Sequence, residues 1–371
     1  MATRQSGKRK LNSRARVAIA ILAAVLVLSL VVVALLQSEQ RVESHALAFS
    51  KNDSYAFSDR GVVYITDHTL YFDDLAHGKA NWRRQLKTPG FKVAASNSFI
   101  VVYSDHMAQA LDYGNNLLTS TMQFSSTVLD VRCGENYFAI LRQDADGKFE
   151  ISRISTSGEQ LTPLGTDNFY VTNYNYYAND QLWLMSMDQA SNVPVTRIST
   201  FSGADARTGV MTLEEELVSS VYVSDFLFAA GTKTLRAYTP TGKQQDSRSV
   251  YGWQVLDHIS NKTGNFFLLR SELALSDPSQ TSQGRLISLP QIGNDIDIRF
   301  PAHFVAAFLQ NGKIIMLSRD TAYVFQMDGT LHDTVPLDIE IDAAYKVSST
   351  RIMVTSASES GPRCYWMVFG L

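Results

Sequence analysis

The histidines and carboxylates of this sequence could carry acid–base or metal chemistry. No histidine has a partner at metal-ligand spacing, and the motifs of serine hydrolases, zinc proteases and nucleotide-binding loops do not occur. Two Asp-His pairs stand out, Asp67-His68 and Asp257-His258. On a strand, such neighbours would point to opposite faces. We interpret both pairs as ordinary loop residues.

One acidic segment resembles a ligand site, and a second is a run of like charges. Residues 144–148 (DADGK) resemble the start of a calcium loop, but the bidentate glutamate of the full loop is missing, because Glu150 comes too early. The Asp-Gly pair favours a hairpin turn. The run Glu214–Glu216 indicates a solvated acidic patch.

Aromatic residues are dense at Phe169-Tyr170 and over residues 174–177 (YNYY). Exposed tyrosines beside asparagines are typical of faces that bind glycans or proteins. The alternative, which we prefer, is packing between repeats plus a loop.

The cysteine content and the net charge exclude several classes of protein. Cys133 and Cys364 lie in separate strand-like runs, which excludes a disulfide framework or a zinc motif. Of 33 Lys and Arg, six precede residue 17, which leaves 27 against 36 acidic residues. The main body therefore carries about −9, which disfavours nucleic acid as a partner.

The segment Val17–Leu36 contains twenty apolar or small residues and no charge. As a helix it would be about 30 Å long, the thickness of a bilayer core. Residues 1–16 form a basic tail, which predicts a cytoplasmic N-terminus and an extracytoplasmic C-terminal body. We expect a single-pass cell-membrane protein. The alternatives are a cleaved signal peptide and a buried core helix.

A repeat fills the rest of the chain. A polar turn followed by an apolar, β-branched run occurs eight times, which is typical of strands. The runs begin near residues 61, 98, 136, 181, 225, 265, 313 and 351.

Glycine turns follow the apolar runs at spacings between 36 and 51 residues. These glycines are Gly78, Gly114, Gly158, Gly203, Gly242, Gly293 and Gly329. A unit of about 40 residues with four short strands is typical of a propeller blade. We predict an all-β propeller over residues 46–371 after a linker at 37–45. Eight blades are favoured, seven are an alternative, and a pair of β-sandwiches is another.

The two ends of the chain predict how the ring closes. The eighth unit ends before an outermost strand, and a lone strand-like segment, Ala46–Phe49, precedes the first complete unit. We predict that this segment supplies the missing strand and so removes two exposed sheet edges.

One unit resembles a known repeat. Residues 69–82 read TLYFDDLAHGKANW, and Asp74, Gly78 and Trp82 match the spacing of the PQQ-like propeller repeat. The resemblance implies that Trp82 docks between neighbouring blades. With the anchor, the layout is similar to envelope proteins of Gram-positive bacteria. The vicinal cysteines and calcium ligands of quinoproteins are missing, so we expect no cofactor.

These features predict a non-enzymatic, protein-binding or scaffold module of the cell envelope. Its expected partners are the lipid bilayer, through Val17–Leu36, and an envelope protein. The alternative is a glycan-binding or glycan-cleaving protein, a lyase or hydrolase with its site in the central channel. A third hypothesis is a small-ligand sensor.

Overall fold

The computed structural model describes residues 42–74, 79–87, 90–119, 121–161, 163–164, 170–188, 192–203, 206–272, 282–300, 304–348, 351–356 and 363–369. These residues form eight antiparallel sheets, which are the blades of a β-propeller. The prediction of an all-β, eight-bladed propeller is confirmed. In each blade we name the strands A to D from the channel outward. The AB and CD turns share one face of the ring, and the BC and DA connections share the other.

The first four blades contain strands β2 to β16. Blade 1 is β2 (Ser54–Ser58), β3 (Gly61–Thr66), β4 (Thr69–Asp74) and β5 (Lys79–Gln85). Blade 2 is β6 (Lys92–Ala95), β7 (Ile100–Ser104), β8 (Met107–Leu111) and β9 (Met122–Gln123). Blade 3 is β10 (Thr127–Cys133), β11 (Tyr137–Gln143) and β12 (Phe149–Ser155). Blade 4 is β13 (Tyr170–Tyr176), β14 (Leu182–Asp188), β15 (Val195–Phe201) and β16 (Arg207–Glu214), with a 3-10 turn at Ala178–Asp180.

The remaining blades contain strands β17 to β31 and β1. Blade 5 is β17 (Val218–Val223), β18 (Leu227–Gly231), β19 (Thr234–Tyr238) and β20 (Gln244–Ser249). Blade 6 is β21 (Trp253–Asn261), β22 (Gly264–Ser271), β23 (Gln283–Ser288) and β24 (Ile296–Arg299). Blade 7 is β25 (Ala306–Gln310), β26 (Lys313–Leu317), β27 (Thr321–Gln326) and β28 (Leu331–Pro336). Blade 8 is β29 (Ala343–Lys346), β30 (Arg351–Ser356), β31 (Arg363–Phe369) and β1 (Val42–Ala46).

The eight apolar runs found in the sequence are the B strands of the eight blades. Strand B pairs on both edges and packs on both faces, so almost every side chain is buried, as in β7 and β26. Outer strands such as β20 and β28 are instead largely exposed. Burial on both faces explains why B strands read as unbroken apolar runs.

The core is divided among the junctions between neighbouring blades. Each of eight apolar clusters joins two adjacent blades, and together they go once around the ring. The junction of blades 8 and 1 buries Phe49, Val62, Tyr64, Met353 and Cys364. The ring is therefore closed by packing as well as by strand pairing.

Strand β1 closes the ring as the outermost strand of blade 8. It pairs with β31 from Val42↔Phe369 to Ala46↔Tyr365. The predicted closure is thus observed, but the strand lies earlier than the predicted segment Ala46–Phe49 and occupies part of the segment assigned to the linker. The reason is that an outer strand, here VESHA, is mostly polar and exposed.

The glycine turns follow strand C, and in the blades with four described strands they lead to strand D. Gly158, Gly242, Gly293 and Gly329 have positive φ, which a glycine adopts without steric cost. In blade 2 the positive φ of 68° belongs to Asn115. Gly78 lies outside the described residues.

The predicted membrane helix Val17–Leu36 and the basic tail also lie outside the described residues. Within the part of the chain that the structure describes, no helix has the length and apolar character needed to cross a bilayer.

Candidate functional site

The A strands surround the central channel, and the channel wall has two different halves. On the side of blades 6 to 8, Lys346 Nζ lies 2.6 Å from Asp257 Oδ2. Asp257 also accepts the N–H of Leu309 at 2.7 Å, and Lys346 donates to the Leu309 carbonyl at 2.8 Å. Side chains from blades 6 and 8 therefore fill the free edge of blade 7.

The interpretation of Asp257-His258 as loop residues was wrong, because both lie on β21. Their side chains point to opposite sides, as expected for a strand. His258 packs against Phe228 and Phe267, with ring centroids 5.2 and 4.7 Å away. Burial lowers the pKa of His258 to about 4, against the weaker opposing effects of Asn265 and Asp257.

On the side of blades 1 to 4, the channel wall contains a cavity of about 520 Å³. The A strands of four successive blades contribute its walls. The lining includes Asp53, Ser54, Tyr55, Ala56, Phe57, Val93, Ala94, Ala95, Tyr103, Asp130, Val131, Arg132, Cys133 and Asn175. This volume lies in the range of small-molecule sites.

The polar centre of this cavity is the pair Asp130 and Arg132. Both stand on β10, two residues apart and hence on one side of the strand. Arg132 Nε lies 2.9 Å from Asp130 Oδ2, and the Arg132 side chain is 47% exposed. Among the described residues the Nη groups of Arg132 have no hydrogen-bond partner. They can donate to a ligand in the channel.

Titratable groups beside this pair stay protonated. Burial, followed by the charge of Asp130, raises the pKa of Tyr103 to about 12 and also raises the pKa values of Cys133 and Tyr174. A thiolate nucleophile needs a thiol whose pKa is lowered, not raised. A general base needs a pKa near the working pH. The surroundings of Asp130 suit binding better than catalysis by these groups.

A second cavity, of about 440 Å³, meets the first at Cys133 and lies at the AB/CD face. It is lined by Ser96, Asn97, Ser98, Cys133, Gly134, Glu135, Tyr176, Tyr177 and Ala178. Hydroxyl, amide and aromatic groups therefore line this second cavity, at the AB turns of blades 2 to 4.

The aromatic segment 174–177 divides between packing and lining. Tyr174 is buried in the junction of blades 3 and 4, and Tyr176 packs against that cluster, in agreement with the packing interpretation. Asn175 lines the channel cavity. Phe169 lies outside the described residues.

The interpretation of Glu214–Glu216 as a solvated acidic patch was wrong for Glu216, whose exposed fraction is 2%. Its Oε1 accepts the N–H groups of Lys233 and Thr234 at 2.8 and 2.6 Å, and Arg236 Nη2 lies 3.0 Å from Oε2. Glu216 thus ties the connection between blades 4 and 5 to the BC turn of blade 5.

The other residues that the sequence analysis singled out have structural roles. Trp82 donates from Nε1 to the carbonyl of Tyr113 in blade 2 at 2.8 Å, so it bridges two blades. Asp74 ends β4. Asp144 accepts the N–H groups of Asp146 and Lys148 in a hairpin turn. The two cysteines are free thiols.

The BC/DA face carries exposed apolar side chains at three successive DA connections. Tyr170 begins β13 and is 42% exposed, Leu217 precedes β17 at 44%, and Tyr251 precedes β21 at 77%. Val193, in the BC connection of blade 4, is exposed as well. We call Tyr170, Val193, Leu217 and Tyr251 the distal patch. The repeat pattern gives no signal for it, because loop residues do not follow the strand period.

Comparison with solved structures defines the class of protein. BamB from Moraxella catarrhalis is 13% identical, with a TM-score of 0.53 over 88% of this chain and 96% of that chain. Sqt1 from Saccharomyces cerevisiae is 12% identical, with a TM-score of 0.55 over 88% of this chain and 99% of that chain. The dihydro-heme d1 dehydrogenase NirN is 8% identical, with a TM-score of 0.53 over 86% of this chain and 74% of that chain.

These likenesses identify the β-propeller fold and, at such low identity, nothing finer. No protein-family model matches the sequence, and no curated protein matches it either.

Proposed function

We propose that this protein is a membrane-anchored, extracytoplasmic propeller that binds another envelope protein through the distal patch. The observation that carries the proposal is the exposure of Tyr251, Leu217 and Tyr170 at three successive connections on one face. Contiguous exposed apolar surface, and tyrosine in particular, is typical of protein interfaces.

The position of β1 supports an orientation in which the distal patch faces away from the membrane. Val42 pairs with Phe369 at the AB/CD face, so the chain leading from the proposed anchor reaches blade 8 on that face. The five residues between Leu36 and Val42 span at most about 18 Å. The AB/CD face of blade 8 therefore stays near the membrane, and the distal patch, on blades 4 to 6 across the ring, faces away.

Charge next to the patch indicates the chemistry of the partner. Glu214 and Glu215 are exposed beside Leu217, and Glu272 donates its N–H to the carbonyl of Gly252, next to Tyr251. Basic groups border the patch as well: Lys233 donates to the carbonyl of Glu215, and the Arg285 guanidinium lies 4.5 Å from the ring of Trp253, two residues after Tyr251. A partner with an apolar centre and a rim that carries both charges complements this surface, with its basic groups opposite Glu214 and Glu215.

The test is site-specific crosslinking in the intact, anchored protein. A benzophenone amino acid replaces Tyr251 or Leu217, and the matched control replaces Ile292, an exposed apolar residue of blade 6 on the opposite face. We expect one envelope protein to crosslink from both patch positions and not from Ile292. The purified partner should bind the full chain, and the double variant Leu217→Asp/Tyr251→Asp should weaken that binding at least about tenfold.

Equal crosslinking from Ile292, or unchanged affinity of the double variant, would overturn the proposal. Topology is tested separately with a reporter enzyme fused after Leu371 that is active only outside the cytoplasm. Activity that disappears when Val17–Leu36 is deleted supports the anchor, and a cytoplasmic reporter contradicts it.

A further inference from the structure

We infer that the channel cavity of blades 1 to 4 binds an organic carboxylate that carries an aromatic or branched apolar group, with the Nη groups of Arg132 holding the carboxylate. This site is separate from the distal patch, because it lies inside the ring and the two share no residue. The two proposals can therefore fail separately.

The first step of the argument is the preorganised arginine. Asp130 accepts a hydrogen bond from Nε of Arg132 at 2.9 Å, the Nη groups have no partner among the described residues, and Arg132 lines the cavity. A guanidinium fixed in this way presents two parallel N–H donors, which match the two oxygens of a carboxylate. Little side-chain entropy is then lost when a ligand binds.

The second step concerns the charge of the ligand. Asp130 neutralises Arg132, and Asp53 adds a negative charge to the lining. Every anion therefore meets some repulsion from the lining, but a doubly charged phosphate meets about twice as much as a single carboxylate, which can share the guanidinium with Asp130.

The third step concerns the body of the ligand. Tyr55 and Phe57 are partly exposed and contribute aromatic walls, and Asn175 adds an amide at the rim. An apolar group of the size of a phenylalanine or leucine side chain would pack against these two rings. The free acid of a small molecule and the C-terminal residue of a peptide both present this chemistry.

The contrast with the other half of the channel strengthens the argument. At blades 6 to 8 the free strand edge is filled by the chain's own Asp257 and Lys346. At blades 1 to 4 the charged pair stands beside an open volume of about 520 Å³.

The test is calorimetric titration of the full chain in detergent micelles. The probes are N-acetyl-phenylalanine, N-acetyl-Ala-Ala-Phe, the amides of both, and inorganic phosphate. We expect both acids to bind at one site, and the amides and phosphate to bind at least about tenfold more weakly. Tighter binding of the tripeptide identifies a peptide terminus as the source, and tighter binding of the single residue identifies a small molecule.

Variants locate the site. Arg132→Gln should weaken binding of the acids roughly tenfold to hundredfold, and Arg132→Lys should restore part of it. The matched control is Arg285→Gln, since Arg285 Nε also contacts a carboxylate, that of Asp297, at 2.8 Å but on the outer strands of blade 6. Asn175→Trp narrows the cavity without changing the ion pair and should also block binding.

Any of four results would overturn the inference. They are no binding of either acid, equal binding of an amide, equal binding of phosphate, and unchanged affinity in both Arg132→Gln and Asn175→Trp.

Discussion

Lys346 and Asp257 are 89 residues apart in the chain, yet their charged atoms meet at 2.6 Å across the A strand of blade 7. Between them lies Leu309, whose N–H is bound by Asp257 and whose carbonyl is bound by Lys346. The free edge of an A strand has no neighbouring strand to satisfy its backbone. Here two opposite charges from the flanking blades do so and couple three blades.

Lys346→Met should lower the free energy of unfolding by about 3 kcal/mol, because it leaves a buried carboxylate with a single backbone donor. We expect the melting temperature of the full chain to fall by roughly 4 °C. The matched control is Arg319→Met. Arg319 pairs with Glu340 at 3.0 Å, but both side chains are mostly exposed, so its loss should cost less than about 1 kcal/mol. Equal effects of the two substitutions would show that the channel ion pair contributes no more to stability than an exposed ion pair.

The stability of the protein should fall in mild acid because of His258. Its pKa in the folded protein is about 4, below the ordinary value of 6.5. Above about pH 6.5 both folded and unfolded states hold a neutral ring, and the contribution is complete. As pH falls toward 4, His258 becomes protonated in the unfolded state but stays neutral in the folded state. The free energy of unfolding then decreases by up to about 3 kcal/mol.

His258→Phe isolates this effect, because phenylalanine fits among Tyr222, Phe228 and Phe267 and does not titrate. Denaturant unfolding at a series of pH values should show that the free energy of unfolding decreases less between pH 6.5 and 4 in this variant than in the unmodified protein. Parallel curves for the two proteins would assign the acid sensitivity to other groups.

Glu216→Ala should destabilise the protein by about 3–5 kcal/mol, because it removes the partner of a half-buried Arg236 and leaves the N–H groups of Lys233 and Thr234 unsatisfied. The adjacent Glu215 is exposed, and Glu215→Ala should change stability by less than about 0.5 kcal/mol. Thermal melting of both variants gives the comparison. A similar loss from both would mean that the acidic run acts through its total charge.

Trp82→Phe should cost about 1 kcal/mol, because it keeps an aromatic ring beside Phe72 and removes the Nε1 bond to Tyr113. Trp82→Ala should cost several times more, since it also opens the junction of blades 1 and 2. Differential scanning measurements on the two variants separate the hydrogen bond from the packing. Equal losses would mean that the bond contributes nothing.

The sequence predicts the blades well because strand B has the same environment in every blade. Runs such as KIIML in β26 are buried on both faces and stay apolar. Strand β1 is harder to recognise, since its exposed VESHA resembles a linker. Glu216 and Asp257 were misread for a different reason. Their partners lie 17 to 89 residues away, so no local pattern indicates burial. The pair Asp130 and Arg132 has a strand spacing but becomes a site only when four blades enclose it.

Strand β1 also has a consequence for the order of folding. Blades 1 to 7 each take their described strands from one continuous stretch, so each can assemble from contacts that are local in the chain. Blade 8 joins Val42 to Phe369 and so closes the largest loop among the described strands. During synthesis β1 must wait unpaired until the ribosome has made β31. We therefore expect ring closure to be the last step of folding and an incomplete chain to keep two open sheet edges.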